Sequence, residues 1–478
     1  MTPGSTRTWI APSQGKNPDK ELARRTKFMN ETLLDFYRCP ETFVNLVLAG
    51  ELSPEAGYFC FGRDAICYGQ SAIGSLSKDV SNGLRDLSRF VTSEGCTLRL
   101  PFDPSQVVNN LRTERYAANG YAANRGFLSR PAVRKAYYTF RPWLPVSVRK
   151  HLQRLFLRGW DLIPFPKWPV DRSVEQIMRR LLSLSMKAQK IESVPFIWFW
   201  PEGAPSCVMI THDVETWAGM DLVERLMDID EAFGIRASFQ VIPEKQYQVT
   251  RNFVKSIGDR GFEFNVQDLT HEGNLFQDRE DFLSRTRAIN RHVKKHGAQG
   301  FRAGRLFRNA DWYEAFDISY DMSIPNVAHL EAQRGGCCTV FPYFIGKILE
   351  LPLTTSQDYS LLHVLGDYSI ELWKEQIALV AEVYGLMSFI IHPDYIMERR
   401  ALDVYKSLLG YLSELGSQRK FWFALPQDVN CWWRERNQMR LISEDGRWRI
   451  EGKGKERARV AYATRAGENL RYTFDAAA

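Results

Sequence analysis

From residue 206 to residue 425, short apolar runs alternate with longer amphipathic stretches, and few architectures accept that order. Strands are expected at 206–211, 235–242, 261–269, 300–306, 318–325, 348–354, 386–392 and 420–425. Helices are expected between them at 220–233, 248–257, 282–295, 310–316, 369–383 and 401–415. In the 220–233 segment Leu222, Val223, Leu226, Ile229 and Phe233 repeat with helical spacing. Strands separated by helices imply βαβ units and a parallel sheet. Eight strand candidates fit a distorted (β/α) barrel better than an open doubly wound sheet, which stays the alternative.

The barrel takes up about half of the 478 residues. Residues 1–20 read as a disordered lead, 21–204 as an N-terminal mixed α+β region, 205–436 as the barrel and 437–478 as a small β tail. Within the N-terminal region, helix is expected inside 21–50 and at 174–190, and strand at 58–62 and 97–100. Residues 195–201 read as an apolar connector, and the prolines of 165–169 mark an irregular segment. Alternation in the tail, with turns at Gly446, Gly454 and Gly467, reads as one or two hairpins.

Composition narrows the function classes. A net charge of +7, spread over sites such as Arg134-Lys135 and Arg149-Lys150, gives no basic block of the kind that marks a nucleic-acid arm. Eight cysteines without a C-x-x-C pair read as free thiols. No run of eighteen apolar residues occurs, and residues 1–20 carry no apolar signal segment, so the expected location is cytoplasmic. The 13 Trp, 19 Tyr and 29 Phe suit a sugar-facing surface as well as a large core.

Functional side chains of such barrels gather at the C-terminal strand ends. There the sequence places Thr211-His212-Asp213-Val214-Glu215, Gln267-Asp268-Leu269-Thr270-His271, Arg302, Asp321 and His392-Pro393-Asp394. Burying so many polar groups costs several kcal/mol each, on the order given by transfer data, unless they pair or bind a metal. Each has a structural alternative. His212 can be a hydrogen-bonded core imidazole, Asp213 and Glu215 can cap the next helix, His271 can bond within its loop, His392 can anchor a turn, and Arg302 can hold a structural carboxylate. His292 and His296 have the i, i+4 spacing of a metal pair but sit beside Lys294 and Lys295, and are expected to be solvated.

The order of these motifs resembles the polysaccharide deacetylases of carbohydrate esterase family 4, the NodB-homology domain, over about residues 205–434. Thr211 to Glu215 is similar to the family's acidic motif, Ala237-Ser238-Phe239-Gln240 to its second strand, and Phe389-Ile390-Ile391-His392 to its last motif. The resemblance implies a zinc-class divalent ion that polarises an acyl carbonyl. Asp213 is then the general base, Arg302 its orienting partner and His392 the proton donor to the leaving amine. Glu215, His271, Gln267 and Asp268 become the metal-side residues, with His212, Asp321 and Asp394 toward a carbohydrate substrate. The sequence departs from the pattern twice, with Gln267 in the place of the first metal histidine and Gly304 in the place of a proline. The implied activity is removal of an N-acetyl or other acyl group from an amino sugar in a polysaccharide or its nucleotide- or lipid-linked precursor. The alternative is an inactive barrel that binds glycan or serves as a scaffold.

Overall fold

A computed structural model describes residues 29–80, 83–120, 157–244, 246–467 and 469–474. The expected lead at 1–20 and the basic pairs at 134–135 and 149–150 lie outside the described residues. The first helix, residues 29–37, buries Met29, Leu33, Phe36 and Tyr37, the spacing of one helical face. Strands β1 (Leu46–Leu48), β2 (Gly57–Cys60), β3 (Ile66–Gly69), β4 (Thr92–Glu94) and β5 (Thr97–Leu100) follow. They form a three-stranded sheet in the order β1-β5-β4 and a separate β2–β3 hairpin. The helix Ser173–Gln189 then leads into β6 (Ser193–Ile197).

The barrel strands are β7 (Cys207–Val214), β8 (Ser238–Val241), β9 (Glu263–Gln267), β10 (Gly300–Arg302), β11 (Tyr320–Asp321), β12 (Tyr343–Ile345), β13 (Ile348–Glu350), β14 (Leu386–Ile391) and β15 (Trp422–Phe423). Among the described residues they make one nine-stranded sheet in the order β12-β13-β11-β10-β9-β8-β7-β14, with β15 paired to β7. Every ladder is parallel except β12–β13. All residues of β7, β8, β9 and β14 are buried, as strands covered on both faces must be.

The fold is therefore a distorted, open (β/α) barrel, and its departure from a closed ring is local. β15 pairs with Cys207 and Val208, residues that β14 already meets on the opposite edge, so it shares an edge of β7 with β8 and adds no new position around the ring. Between β13 and β14 the backbone ladder is replaced by side chains. Thr354 Oγ1 donates to Leu386 O at 2.7 Å and accepts from Ser388 N at 2.9 Å, and Thr355 Oγ1 donates to Ser388 O at 2.7 Å. Two hydroxyls thus satisfy the edge of β14 that a neighbouring strand would otherwise satisfy.

The helix Pro426–Gln438 carries the chain to β16 (Arg440–Glu444), β17 (Arg447–Glu451), β18 (Val460–Ala466) and β19 (Asn469–Thr473). Asp445 and Gly446 join β16 to β17 with φ of 51° and 74°, the positive pair that a two-residue type I′ hairpin turn requires. The 195–201 connector is in part a strand: β6 pairs antiparallel with β18, so the N-terminal region and the tail share one sheet. Arg436 fastens this junction. Its buried guanidinium donates to Trp198 O at 2.9 Å, Ile197 O at 2.7 Å and Phe36 O at 2.9 Å. Burial, reinforced by the nearby Arg38 charge and only partly offset by Asp35, pushes its pKa down to about 9.

Candidate functional site

Side chains alternate along a strand, so Thr211, Asp213 and Glu215 turn toward the barrel interior while His212 and Val214 turn toward the helices. The structure follows that rule. His212 is fully buried with Nε2 at 2.8 Å from Asp230 Oδ2, and Tyr405 donates to the same carboxylate at 2.6 Å. It packs on Phe239 and Tyr405 in the sheet–helix layer and does not face the site, contrary to the substrate-side role considered for it.

Asp213 is held from two sides. Arg302 Nη1 donates to its Oδ1 at 2.5 Å, and Gln267 Nε2 donates to its Oδ2 at 3.1 Å. Arg302 is itself fixed through Nη1 to Thr211 Oγ1 at 2.8 Å and Nε to Met322 O at 3.1 Å, leaving Nη2 buried without a protein partner. Burial raises the Asp213 pKa, against the lowering effect of Arg302 and His392. Glu215 is the meeting point of the cluster. Gln267 Nε2 lies 3.2 Å, His271 Nε2 3.2 Å and His392 Nε2 3.5 Å from its Oε1. Although burial opposes its charge, His271 and His392 hold the Glu215 pKa down at about 2.

His392 closes the site from β14. Its Nδ1 lies 2.6 Å from Asp358 Oδ1, and its backbone N–H donates to Asp358 Oδ2 at 2.7 Å. Burial works against an imidazolium here, but Asp358 and Glu215 outweigh it and raise the His392 pKa well above its ordinary value. Asp358 is a site residue that the strand-end reading missed. It stands past the end of the β13 segment, just before the π-helical turn Ser360–Leu365, where no periodicity marks it. The one available signal was an isolated acid at the end of the polar run Thr354-Thr355-Ser356-Gln357 that follows the largely apolar 348–353 segment.

Two other acids named from sequence lie elsewhere. Asp268, at φ 48°, turns back on its own loop, where Leu269 N–H donates to it at 2.7 Å and Gly304 N–H also bonds to it. This explains the glycine at 304. A Cβ there would lie 2.5 Å from Asp268 Oδ2 and 3.1 Å from His271 Nδ1, so a proline would displace both. Asp321 accepts from Tyr313 OH at 2.9 Å, Ser323 N at 3.0 Å and Ser323 Oγ at 2.7 Å, an arrangement that fixes the β11 end rather than opening onto the site. Asp394 does border the site, linked to Thr216 Oγ1 at 3.2 Å across the gap between the β7 and β14 ends. His292 is bonded to Glu244 at 2.9 Å with His296 stacked beside it, and burial together with Lys295 lowers the His296 pKa to about 4.

Asp213, Glu215 and His392 each offer one ligand atom, and these atoms lie within 4.8 Å of one another. The donors fit a divalent cation. Asp358 takes the Nδ1 side of His392 and leaves Nε2 toward the cluster, the carboxylate–histidine arrangement that orients imidazole ligands. The Gln267 Oε1 atom is buried without a partner beside the same carboxylates. Gln267 presents its amide N–H groups to Asp213 and Glu215, so in this arrangement it acts as a hydrogen-bond bridge.

Fold and site together define an α/β barrel protein with a carboxylate–histidine centre at its strand ends. No protein-family model matches the sequence, and no curated protein does. Solved structures similar to it include a Mycobacterium smegmatis protein classed as a polysaccharide deacetylase, at 18% identity and TM-score 0.40, covering 50% of this chain and 93% of that one. A Bacillus subtilis peptidoglycan deacetylase is 10% identical at TM-score 0.31, over 47% of this chain and 89% of its own. A Bacillus anthracis CE4-family pseudoenzyme is 13% identical at TM-score 0.31, over 47% and 65%. Among the described residues no helix is long and apolar enough to cross a membrane.

Proposed function

We propose that this chain is a metal-assisted hydrolase that removes an N-acetyl or other acyl group from an amino sugar, in a polysaccharide or a nucleotide- or lipid-linked precursor. The observation that carries the reading is the convergence of an arginine-held acid, Asp213, and an aspartate-held imidazole, His392, on the two sides of Glu215. Amide hydrolysis needs a group that takes a proton from water and another that gives one to the departing amine, both in fixed positions. Asp213 serves as the base, with Arg302 setting its orientation. His392 serves as the acid, its Nε2 aimed into the cluster by the bond from Nδ1 to Asp358.

Of the clustered donors, Glu215 together with His271 would hold the ion, whereas Asp213 and His392, within reach of the same ion, are assigned to proton transfer and not to its ligand set. When bound, a zinc-class ion supplies Lewis-acid polarisation of the acyl carbonyl and a more acidic attacking water. The test is acetate release from N-acetylglucosamine oligomers with Zn²⁺, Co²⁺ or Mn²⁺ added and after chelation. Asp213→Asn and His392→Ala are each expected to lower the rate at least about 100-fold; rates unchanged by both substitutions refute the assignment.

One observation favours a second reading, an inactive barrel that binds glycan. Gln267 Nε2 bridges Asp213 and Glu215 and so supplies some of the positive charge that an ion would bring. Absence of bound metal after equilibration with each ion, together with saturable glycan binding, decides for it.

A further inference from the structure

The segment that carries Asp358 is gripped from outside the barrel, and the grip leads back to the N-terminal region. Ser356 N–H donates to Gln376 Oε1 at 3.0 Å, and Trp373 Nε1 donates to Ser356 O at 2.7 Å. Gln376 also donates through Nε2 to Pro169 O at 3.2 Å. On the other side, Gln357 Nε2 donates to Glu331 Oε2 at 2.5 Å. Glu331 lies in the connection between β11 and β12, and Asn326 near the start of that connection is tied to Asp171. Asp171 N–H donates to Asn326 Oδ1 at 2.8 Å, and Asn326 Nδ2 donates to Asp171 O at 2.7 Å and Thr339 O at 2.9 Å. Residues 169–171 therefore reach residues 356–358 by two routes.

Packing does not call for an acid at 331. Glu331 is 7% exposed, and burying a carboxylate is costly unless it is used in a pair or a hydrogen bond. The neighbouring cation, Arg308, is already committed, since its guanidinium bonds both oxygens of Glu114 and Leu306 O. Burial pushes the Glu331 carboxyl up to about 7, against the lowering effects of Arg308, Gln357 and His392. A carboxylate accepts an amide N–H more strongly than a neutral oxygen does, which suits a residue whose task is to hold Gln357. We infer that Glu331 is a positioning residue for the proposed acid: by holding Gln357 it fixes the adjacent Asp358, and Asp358 aims the His392 imidazole. The 326–331 segment and residues 169–171 then form the outer support of the Asp358–His392 bond, and the N-terminal region takes part in the reaction through them. The role of His392 here rests on the deacetylase reading, whereas the support itself can be read without turnover.

The experiment uses the full chain as wild type, Glu331→Ala, Glu331→Gln and Gln357→Ala, each with Asp358 present and with Asp358→Ala. Acetate release from N-acetylglucosamine oligomers gives kcat and KM, and the urea midpoint reports folding. The far-downfield proton resonance of His392 Nδ1–H reports its bond to Asp358. Glu331→Ala and Gln357→Ala are each expected to lower kcat about tenfold with KM within about threefold, and to shift or broaden that resonance. Glu331→Gln, which keeps an acceptor for the Gln357 amide, should recover most of the loss. With Asp358→Ala, neither alanine substitution should lower kcat by more than about twofold, because the residue through which they act is gone. A resonance unchanged by both alanine substitutions, or a kcat loss of the same size without Asp358, overturns the inference. A wild type that releases no acetate but whose resonance responds as expected leaves the support standing and removes the deacetylase reading instead.

Discussion

Replacing Gln267 by histidine isolates the feature in which this site departs most from a zinc centre. The Gln267 amide nitrogen lies 3.1 Å from Asp213 Oδ2 and 3.2 Å from Glu215 Oε1. Hydrogen bonds to charged groups contribute roughly 1.5–3 kcal/mol each, and a cation drawn to these carboxylates must displace or weaken both. Imidazole in the same place gives up that bridge and adds a lone pair that zinc prefers to an amide oxygen. Recovering about 3 kcal/mol corresponds to roughly a hundredfold gain in zinc affinity at 1.4 kcal/mol per tenfold. Competition against a chromophoric chelator reads the affinity of wild type and Gln267→His, with thermal unfolding to show that both are folded. Adding His271→Ala to the variant should abolish the gain, because His271 already lies 3.2 Å from Glu215. A Gln267→His protein that binds zinc within twofold of wild type refutes the reasoning.

Asp358→Asn places an amide where the His392 Nδ1 now meets a carboxylate at 2.6 Å; kcat for acetate release should fall about 10²–10⁴-fold with KM within a few-fold, as steady-state kinetics will show. Asp230→Ala strips His212 and Tyr405 of their shared buried partner and should destabilise the fold by about 3–5 kcal/mol, read as a lower urea midpoint. Burial pushes the carboxyls of Glu175 and Glu263 up to about 7, from 4.5 for the free side chain. A raised folded-state pKa gives stability that is full below about pH 4.5 and lost as pH rises through about 7, at most roughly 3 kcal/mol per group. The urea midpoint should therefore fall between pH 5 and pH 8, and Glu263→Gln should flatten that fall.

The barrel was legible because apolar runs alternate with amphipathic helices, which places strands at 206–211 and 386–392 against the observed Cys207–Val214 and Leu386–Ile391. Closure was not legible. Whether residues 422–423 open a new position or double an edge depends on pairing partners distant in sequence, and the hydroxyls that seal β14 look like ordinary threonines. The core of the site follows from alternation, which directs 211, 213 and 215 to one side. Applied strictly, the same rule sends His212 to the helix layer, where it is found. Asp268 and Asp321 were misleading for a shared reason: strand-end acids also satisfy loop N–H groups, and only geometry separates the two uses. Asp358 escaped because its role lies in a long-range bond to β14. The β6–β18 pairing escaped because it joins segments from opposite ends of the chain.

Metal content and acetate release, measured together on wild type and Glu215→Gln, test the central claim most directly, since Glu215 is where Gln267, His271 and His392 converge. Wild type equilibrated with zinc and desalted should retain one equivalent by elemental analysis and release acetate from N-acetylglucosamine oligomers, and Glu215→Gln should lose both. Acetate release that persists in Glu215→Gln, or a wild type that holds no divalent ion and releases no acetate, contradicts the claim.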